Sequence, residues 1–556
     1  MRKLSAFWFR LGGLPVRPFT WTLAALFSIW VVLDVLVLHI SSGIAHSTFD
    51  AMVRARLLVA EPDPRLVIVD IDEASLSRMS ADFGRWPWPR DTLATALDHI
   101  EKQNPAAIAW DILFADSDRM SPGGDAAFNA SVKRSAHSFF SVVRLPASND
   151  GESRITRSVL PGLWTEVSDR HAIAGTPTVP PADDGIAVAM IPPVLDAVTK
   201  APLGYNNAYV DSDGALRRYR YAEPVGSGAQ LLQSLPLRIL QSLDFGAWEL
   251  RVAAIGSVWA PMDELIVWRR QPRIYPRVSF ADVFAQAEGG KPLRPVPSFA
   301  GKIVIIGATA PSLHDVHATP LARVQPGVET LATAIDNALN GRRISELPRA
   351  AQAAMAIAMC LGIAWWAQRN LLASLEPALL LLPSALLAVS YLSLNGSPFF
   401  IEMHSAAGLA LAFLLVLRYW NIMRRNYWCS PPTSRGRLAV WSWFRSGPWI
   451  DTALDRLIDA VQVQAPHCRV LVLDAGARWP QQLRWPELAR YAAVIGPEDE
   501  LNRARPQLEL TLRKLAQTVG EPVFTHGSSS REELATLALH EWAGRAVTFS
   551  FKDQTQ

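Results

Sequence analysis

Cysteine is nearly missing from this 556-residue chain: there are three, Cys360, Cys429 and Cys468, all in or beyond its later apolar segments. Residues 41–349 hold none, so that stretch cannot use disulfides and must be held by its own core, which its size permits. The cysteine spacing also excludes the usual zinc motifs. Net charge is small, +3, which leaves no electrostatic footprint for nucleic acid. Signatures of phosphoryl chemistry are equally scarce. Residues 436–556 contain neither a His-Arg-Asp nor an Asp-Phe-Gly element and are too few to house a protein kinase. His540–Glu541 is followed by only 15 residues, which argues against a histidine kinase with its ATP-binding domain. GKIVIIGATA (301–310) has the glycines of a phosphate loop but no Gly-Lys-Ser/Thr element. No cofactor is expected.

Long apolar runs, by contrast, are abundant. Residues 21–40, WTLAALFSIWVVLDVLVLHI, carry one charge, and at about 1.5 Å per residue they span a bilayer core. A cleaved signal peptide should have a shorter apolar region ending in small residues, so an uncleaved anchor is expected. Three further spans, 350–367, 372–394 and 399–420, follow with short connections. The basic residues Arg2, Lys3, Arg10, Arg17, Arg369, Arg418, Arg424, Arg425, Arg435 and Arg437 fall on one side of these four spans, against Arg342, Arg343 and Arg349 on the other. That asymmetry predicts both termini in the cytoplasm. Residues 1–20 then form a cytoplasmic tail, 41–349 an external domain, 421–435 a linker broken by Pro431 and Pro432, and 436–556 a cytoplasmic domain.

The external segment has the pattern of an α/β fold. RLVIVDID (65–72), AAIAWDILFAD (106–116) and KIVIIGATA (302–310) are short β-rich runs, and alternation with helices implies a largely parallel sheet covered on both faces. Residues 120–200, rich in Pro, Ser, Ala and Gly, are expected to carry long loops. GRWPWPR (84–90) predicts an extended course, because each proline fixes its own φ and displaces its predecessor from the helical region. A helix should follow, with Asp91 as N-cap and Leu93, Ala96, Leu97 and Ile100 on one face. Trp86 and Trp88 are thus presented rigidly, either as core beneath that helix or as a ligand or partner platform.

Asp70, Asp72, Asp111 and Asp116 stand at or beyond strand C-terminal ends, where open α/β sheets bind ligands. They are candidates to hold Mg²⁺ or Ca²⁺, with helix caps and turns as the alternative. DSDGALRR (211–218) lacks the remaining ligands of a calcium loop and fits a tight turn. His314, Asp315 and His317 offer metal-binding side chains without a fourth partner, so the metal is left undefined. Asp34, inside the first span, and His404, in the fourth, fall at similar depth and form a candidate intramembrane pair; an intramembrane carboxyl is costly and so a functional candidate. The alternative is a polar interhelical gap or the nearby interface.

FDAMVRAR, VIVDIDEASL, GRWPWPRDTLATALDHI, AIAWDILFAD, GYNNAYVDSDGALRRYR and GKIVIIGATAPSLHDVHATPLARVQPGVETLATAIDNALNGRRI occur in that order. Over residues 45–345 they resemble the second class of cyclase- and histidine-kinase-associated extracellular sensor domains, the CHASE-type-two family, which is followed by three membrane spans. The resemblance implies a bacterial inner-membrane receptor with an external α/β sensor domain and a bundle of four transmembrane helices. It also makes Trp86, Trp88 and Arg90 part of a family motif. Expected partners are the membrane, a periplasmic signal or envelope protein, a cytoplasmic signalling protein and a second copy of the chain as a homodimer.

The cytoplasmic end reads as a small α/β unit. IDTALDRLIDAVQVQ and SREELATLALHEW are helical, the latter capped by Ser530 with Glu533, whereas HCRVLVLDAG, YAAVIG, PVFTHG and AVTFSF are strand-like. Relatives of this architecture usually end in a cyclase or a kinase. Asp474 in VLVLDAG resembles a cyclase metal ligand, but no second metal aspartate follows, and two-metal chemistry cannot run on one carboxylate. A non-catalytic relay is expected, with a divergent adenylate- or diguanylate-type cyclase using Asp474 as the alternative.

Overall fold

The computed structural model describes residues 11–38, 40–166, 186–225, 230–254, 263–369, 375–428, 438–445, 451–472, 491–519 and 523–526. The chain divides into two compact units: Ile40–Pro348 with Ala388–Glu402, and Met1–His39 with Arg349–Leu387 and Met403–Gln556.

The first unit opens with helix α1 (Ser41–Arg54) and strand β1 (Leu66–Ile71), followed by helices α2 (Glu73–Phe83) and α3 (Arg90–Glu101). Next come β2 (Ala107–Trp110), α4 (Gly124–Arg134), β3 (Ser138–Arg144), β4 (Met190–Ile191), β5 (Leu203–Tyr205) and α5 (Leu235–Leu243). β6 (Arg277–Ser279), α6 (Phe280–Ala287), β7 (Ile303–Ala308) and α7 (Gly327–Leu339) complete the main elements. The sheet order is β6-β1-β7-β2-β3-β4, with β5 also on β3, and every pairing but β3 with β4 is parallel. Parallel strands are buried on both faces. Val67, Val69 and Ile71 pack with α3, α4 and α6 on one face, while Leu66 and Ile68 pack with α5 and α7 on the other. β1 leads to helices on the first face, and β7, inserted between β1 and β2, leads to α7 on the second. The connections therefore part at the carboxyl edge of the central strands, where a crevice opens.

The stretch 120–200 holds α4 and β3 beside its loops, since Phe128 and Val132 make α4 amphipathic and the apolar SFFSVVR of β3 pairs with β2 and β5. One expectation is corrected here. Pro89, not Asp91, occupies the cap position of α3. Asp91 sits in the first turn, where a carboxylate favours the helix dipole. The Trp86–Pro87 peptide is cis.

Helices reaching Val16–Leu38, Arg349–Gln368, Leu375–Gly396 and His404–Trp428 are long and apolar enough to cross a membrane, four among the described residues. Phe19, Leu23, Cys360, Ala364, Phe413 and Trp420 share one cluster, with Phe19 stacked on Trp420 at 4.1 Å. The last span begins at His404 rather than 399, because Phe399–Phe400 forms a short strand paired with Ser345–Glu346 in the first unit. It then runs eight residues beyond the expected end at 420, to Trp428.

Beyond it come strand Leu438–Arg445, helix Asp451–Gln464, strands Arg469–Val472 and Tyr491–Pro497, helix Glu498–Val519 and strand Val523–His526. They form a four-stranded antiparallel sheet whose spatial order, by sequence rank, is 2-3-1-4. The expected SREELATLALHEW helix, AVTFSF strand and Asp474 lie outside the described residues.

Candidate functional site

A cavity of about 590 Å³ opens at the carboxyl edge of the sheet. Register explains its floor. Asp70 lies opposite Gly307, Ile71 opposite Ala308, and the Asp111 N–H donates to the Ile306 carbonyl at 2.8 Å. Glycine is needed at 307, since a Cβ there would stand 2.7 Å from Val328 Cγ2 and 3.0 Å from Asp111 Cβ. The walls come from Trp86, Asp111, Ser141, Asn206, Tyr219, Leu313, Asp315, His317 and the first turn of α7, including Thr330. Volume and lining are those of a small-molecule site.

Its polar chemistry centres on Asp111. Asn206 Nδ2 donates to Asp111 Oδ1 at 2.7 Å, and the Tyr219 hydroxyl donates to Asn206 Oδ1 at 2.9 Å. Burial pushes the Asp111 carboxyl up to about 7, with the nearby Asp315 charge adding to the rise and the Asn206 hydrogen bond opposing it. Burial also raises Asp315, against the pull of His317, whose Nε2 lies 3.8 Å from Asp315 Oδ1. Both are desolvation effects on a charged form. Asp315 is held close to the start of α7: a Cβ on Gly327 would lie 2.5 Å from each carboxylate oxygen.

The two tryptophans divide their roles. Trp88 is 2 % exposed and packs against Phe280, whereas Trp86, set edge-on to Trp88 at 5.0 Å, lines the cavity. Of the expected carboxylates, Asp111 and Asp315 reach the cavity together; Asp70, Asp72 and Asp116 are not among its lining residues. Asp70 accepts from the Thr309 hydroxyl at 2.8 Å, and burial raises its pKa. Asp72 caps α2 by accepting from the Ser75 N–H at 2.7 Å. The Asp116 carbonyl accepts from the Arg90 guanidinium, which also pairs with Asp125 and lies over the Phe114 ring, so Arg90 braces the loop behind the cavity. His314 is exposed, with φ 57°, and does not line the cavity.

Asn206, Tyr219, Ser141 and Thr330 were not singled out by sequence reasoning. Only the quoted motif GYNNAYVDSDGALRRYR flagged the first two, and neither as a site residue. That motif also ties together the first and last segments of the domain's chain. The Arg217 guanidinium binds Asp50 of α1 at 2.8 Å and Asp211 and Asp213 at 3.0 and 2.7 Å. Arg218 forks onto Glu346, at 2.8 Å, just before the second span. His46, Asp211 and Asp213 are the one trio of metal-ligating side chains among the described residues with atoms within 4.8 Å of one another. Arg217 already neutralises its carboxylates.

Asp34 and His404 are both buried in the second unit. At Asp34 the first span passes from α-helix into a π-turn, Asp34–Leu38, a feature often found at functional sites.

A parallel α/β domain with a ligand-sized cavity stands in a chain that carries, among the described residues, four helices long and apolar enough to span a membrane. The chain belongs to the CHASE2 domain family, a sensor domain of signalling receptors, whose profile matches residues 24–367. No curated protein and no solved structure matches it.

Proposed function

We propose that the chain is a bacterial inner-membrane receptor. Its CHASE2 domain lies outside the cytoplasm and binds a small ligand in the cavity at the sheet's carboxyl edge. The change then passes through the spans to a non-catalytic cytoplasmic domain that engages a partner protein. The observation that carries this reading is the cavity's link to the domain's exits. Tyr219 lines the cavity and packs in one cluster with Phe49 and Val53 of α1, the helix that continues from the first span. Arg217 and Arg218, immediately before it, hold Asp50 of α1 and Glu346 at the entrance to the second span.

The cytoplasmic side offers a matching contact. Arg425 Nη2 lies 3.1 Å from Asp455 Oδ2, and Arg424 pairs with Asp459, so the end of the last span grips helix Asp451–Gln464. The β-α-β-β-α-β unit beyond it is a scaffold used for many purposes. Its first strand, LAVWSWFR, carries no carboxylate, which favours relay over cyclase chemistry needing paired metal-binding carboxylates.

Purified full-length protein should be screened by thermal shift against a small-molecule library, with Ala308→Phe filling the cavity. Ligands whose stabilisation disappears in that variant are expected; hits indifferent to it, or none, contradict the sensor site. Incubation with ATP or GTP and Mn²⁺ is expected to yield no cyclic nucleotide, and its detection would overturn the relay in favour of the cyclase.

A further inference from the structure

The cavity has acceptor capacity with nothing to fill it. Among the described residues no lysine or arginine lines it, while two carboxylates, Asp111 and Asp315, do. Asp111 Oδ1 is occupied by Asn206, but the buried Oδ2 has no hydrogen-bond partner among the described residues. Ser141 and Thr330, 6 % and 4 % exposed, line the same cavity, and their hydroxyls also lack partners among the described residues. A buried polar group without a partner is destabilising, more so when charged. The free site therefore gains from a cationic donor.

The arrangement discriminates among cations and against anions. A bare divalent ion needs oxygen ligands converging to about 2.0–2.6 Å, yet Asp111, Asp315 and His317 are not brought within 4.8 Å of one another, unlike the trio at His46. An anion would look to the start of α7, but Asp315 already stands against Gly327 there. A protonated amine brings three N–H donors on one nitrogen, and the cavity's volume of about 590 Å³ leaves room for a carbon skeleton. Trp86 supplies an indole able to attract the cation or cover the skeleton.

We propose that the cavity takes a small organic amine, its ammonium group bound by Asp111 and Asp315 with the Ser141 and Thr330 hydroxyls, and its carbon skeleton against Trp86 and Leu313. This rests on the cavity being the sensor's ligand site. Burial raises the Asp111 carboxyl, and an ammonium favours its ionised form, so binding is expected to draw proton release from it.

Isothermal titration of the solubilised full chain with ethanolamine, cadaverine and phenethylamine tests it, against phenethyl alcohol, 3-phenylpropanoate, MgCl₂ and CaCl₂. At least one amine should bind. If that is phenethylamine, its alcohol should bind at least tenfold more weakly and its acid not at all. Asp111→Asn and Ser141→Ala should each weaken the amine, the former at least tenfold, with the unliganded melting transition retained. Heats in buffers of different ionisation enthalpy should show proton release that Asp111→Asn removes. If the alcohol or acid matches the amine and is lost in Ala308→Phe, the amine is wrong and the cavity stands. Metal binding abolished by Asp111→Asn, or silence from all three amines, also overturns the amine. Amine binding that survives Ala308→Phe overturns both readings.

Discussion

Trp86 and Trp88 sit two residues apart and do different work. Trp88→Ala removes a buried indole from the main core and should cost about 3–5 kcal/mol. Trp86→Ala should cost about 1–2 kcal/mol, for a partly buried ring, but should weaken cavity ligands. Denaturant unfolding of the solubilised protein checks the pair, and equal losses would contradict the division. Titration offers a second check. Asp111 has Asp315 nearby and accepts from Asn206, and Glu329 faces Arg277, Arg273 and Asp70; both carboxyls are raised to about 7, chiefly by burial. A carboxyl whose pKa is higher folded than unfolded stabilises the fold at acid pH. Its contribution declines as pH rises from the unfolded value of about 4 to the folded one. The ligand-free melting temperature should therefore fall between pH 5 and pH 8, and Asp111→Asn or Glu329→Gln should flatten the slope. Asp63 and Asp213, lowered to about 2 mainly by Arg65 and Arg217, act in the opposite sense and only in stronger acid. A profile unchanged by either substitution would contradict these assignments.

Among the elements, the segment from Asn206 to Arg220 joins the cavity to both exits of the domain. Arg217→Ala leaves Asp50, Asp211 and Asp213 without their shared cation and should destabilise the fold by about 3 kcal/mol. Arg218→Ala frees Glu346 and should spare ligand affinity while weakening transmission, read as cytoplasmic hydrogen exchange on ligand addition; an unaltered response would remove Arg218 from the route. If Asp34 and His404 act as a pair, Asp34→Asn and His404→Gln should each change the resting crosslinking of cysteines at the cytoplasmic span ends. The double substitution should cost less than the sum, and strict additivity rejects the pair. Much of this was legible in the sequence. β1, β2 and β7 announced themselves as β-rich runs, and Asp111 was flagged by its place at a strand end. Ser141, Thr330 and Tyr219 were not, because β3, α7 and the Asn206–Arg220 segment meet only through long-range pairing that no local periodicity records. Strand Leu438–Arg445 and helix Glu498–Val519 were also missed. The first, LAVWSWFR, follows a Pro- and Arg-rich stretch that looked like linker, and the second carries Pro506, an ordinary helix-stop signal.

For the whole molecule, the basic-residue asymmetry predicts that a reporter fused near residue 200 is active only if it works outside the cytoplasm, and one fused after residue 425 only if it works inside. A cytoplasmic signal at residue 200 would end the receptor reading. A ligand can shift a two-state molecule only by its differential affinity for the states, so cavity binding must favour one arrangement of the spans if it is to be felt at helix Asp451–Gln464. Hydrogen exchange followed by mass spectrometry, on full-length protein in nanodiscs with and without a cavity ligand, reads both ends at once. Binding should slow exchange around Asp111, Ser141 and Asn206–Tyr219 and also change it in Asp451–Gln464. Protection confined to the cavity, with Asp451–Gln464 unaltered, would contradict a receptor that signals through its spans.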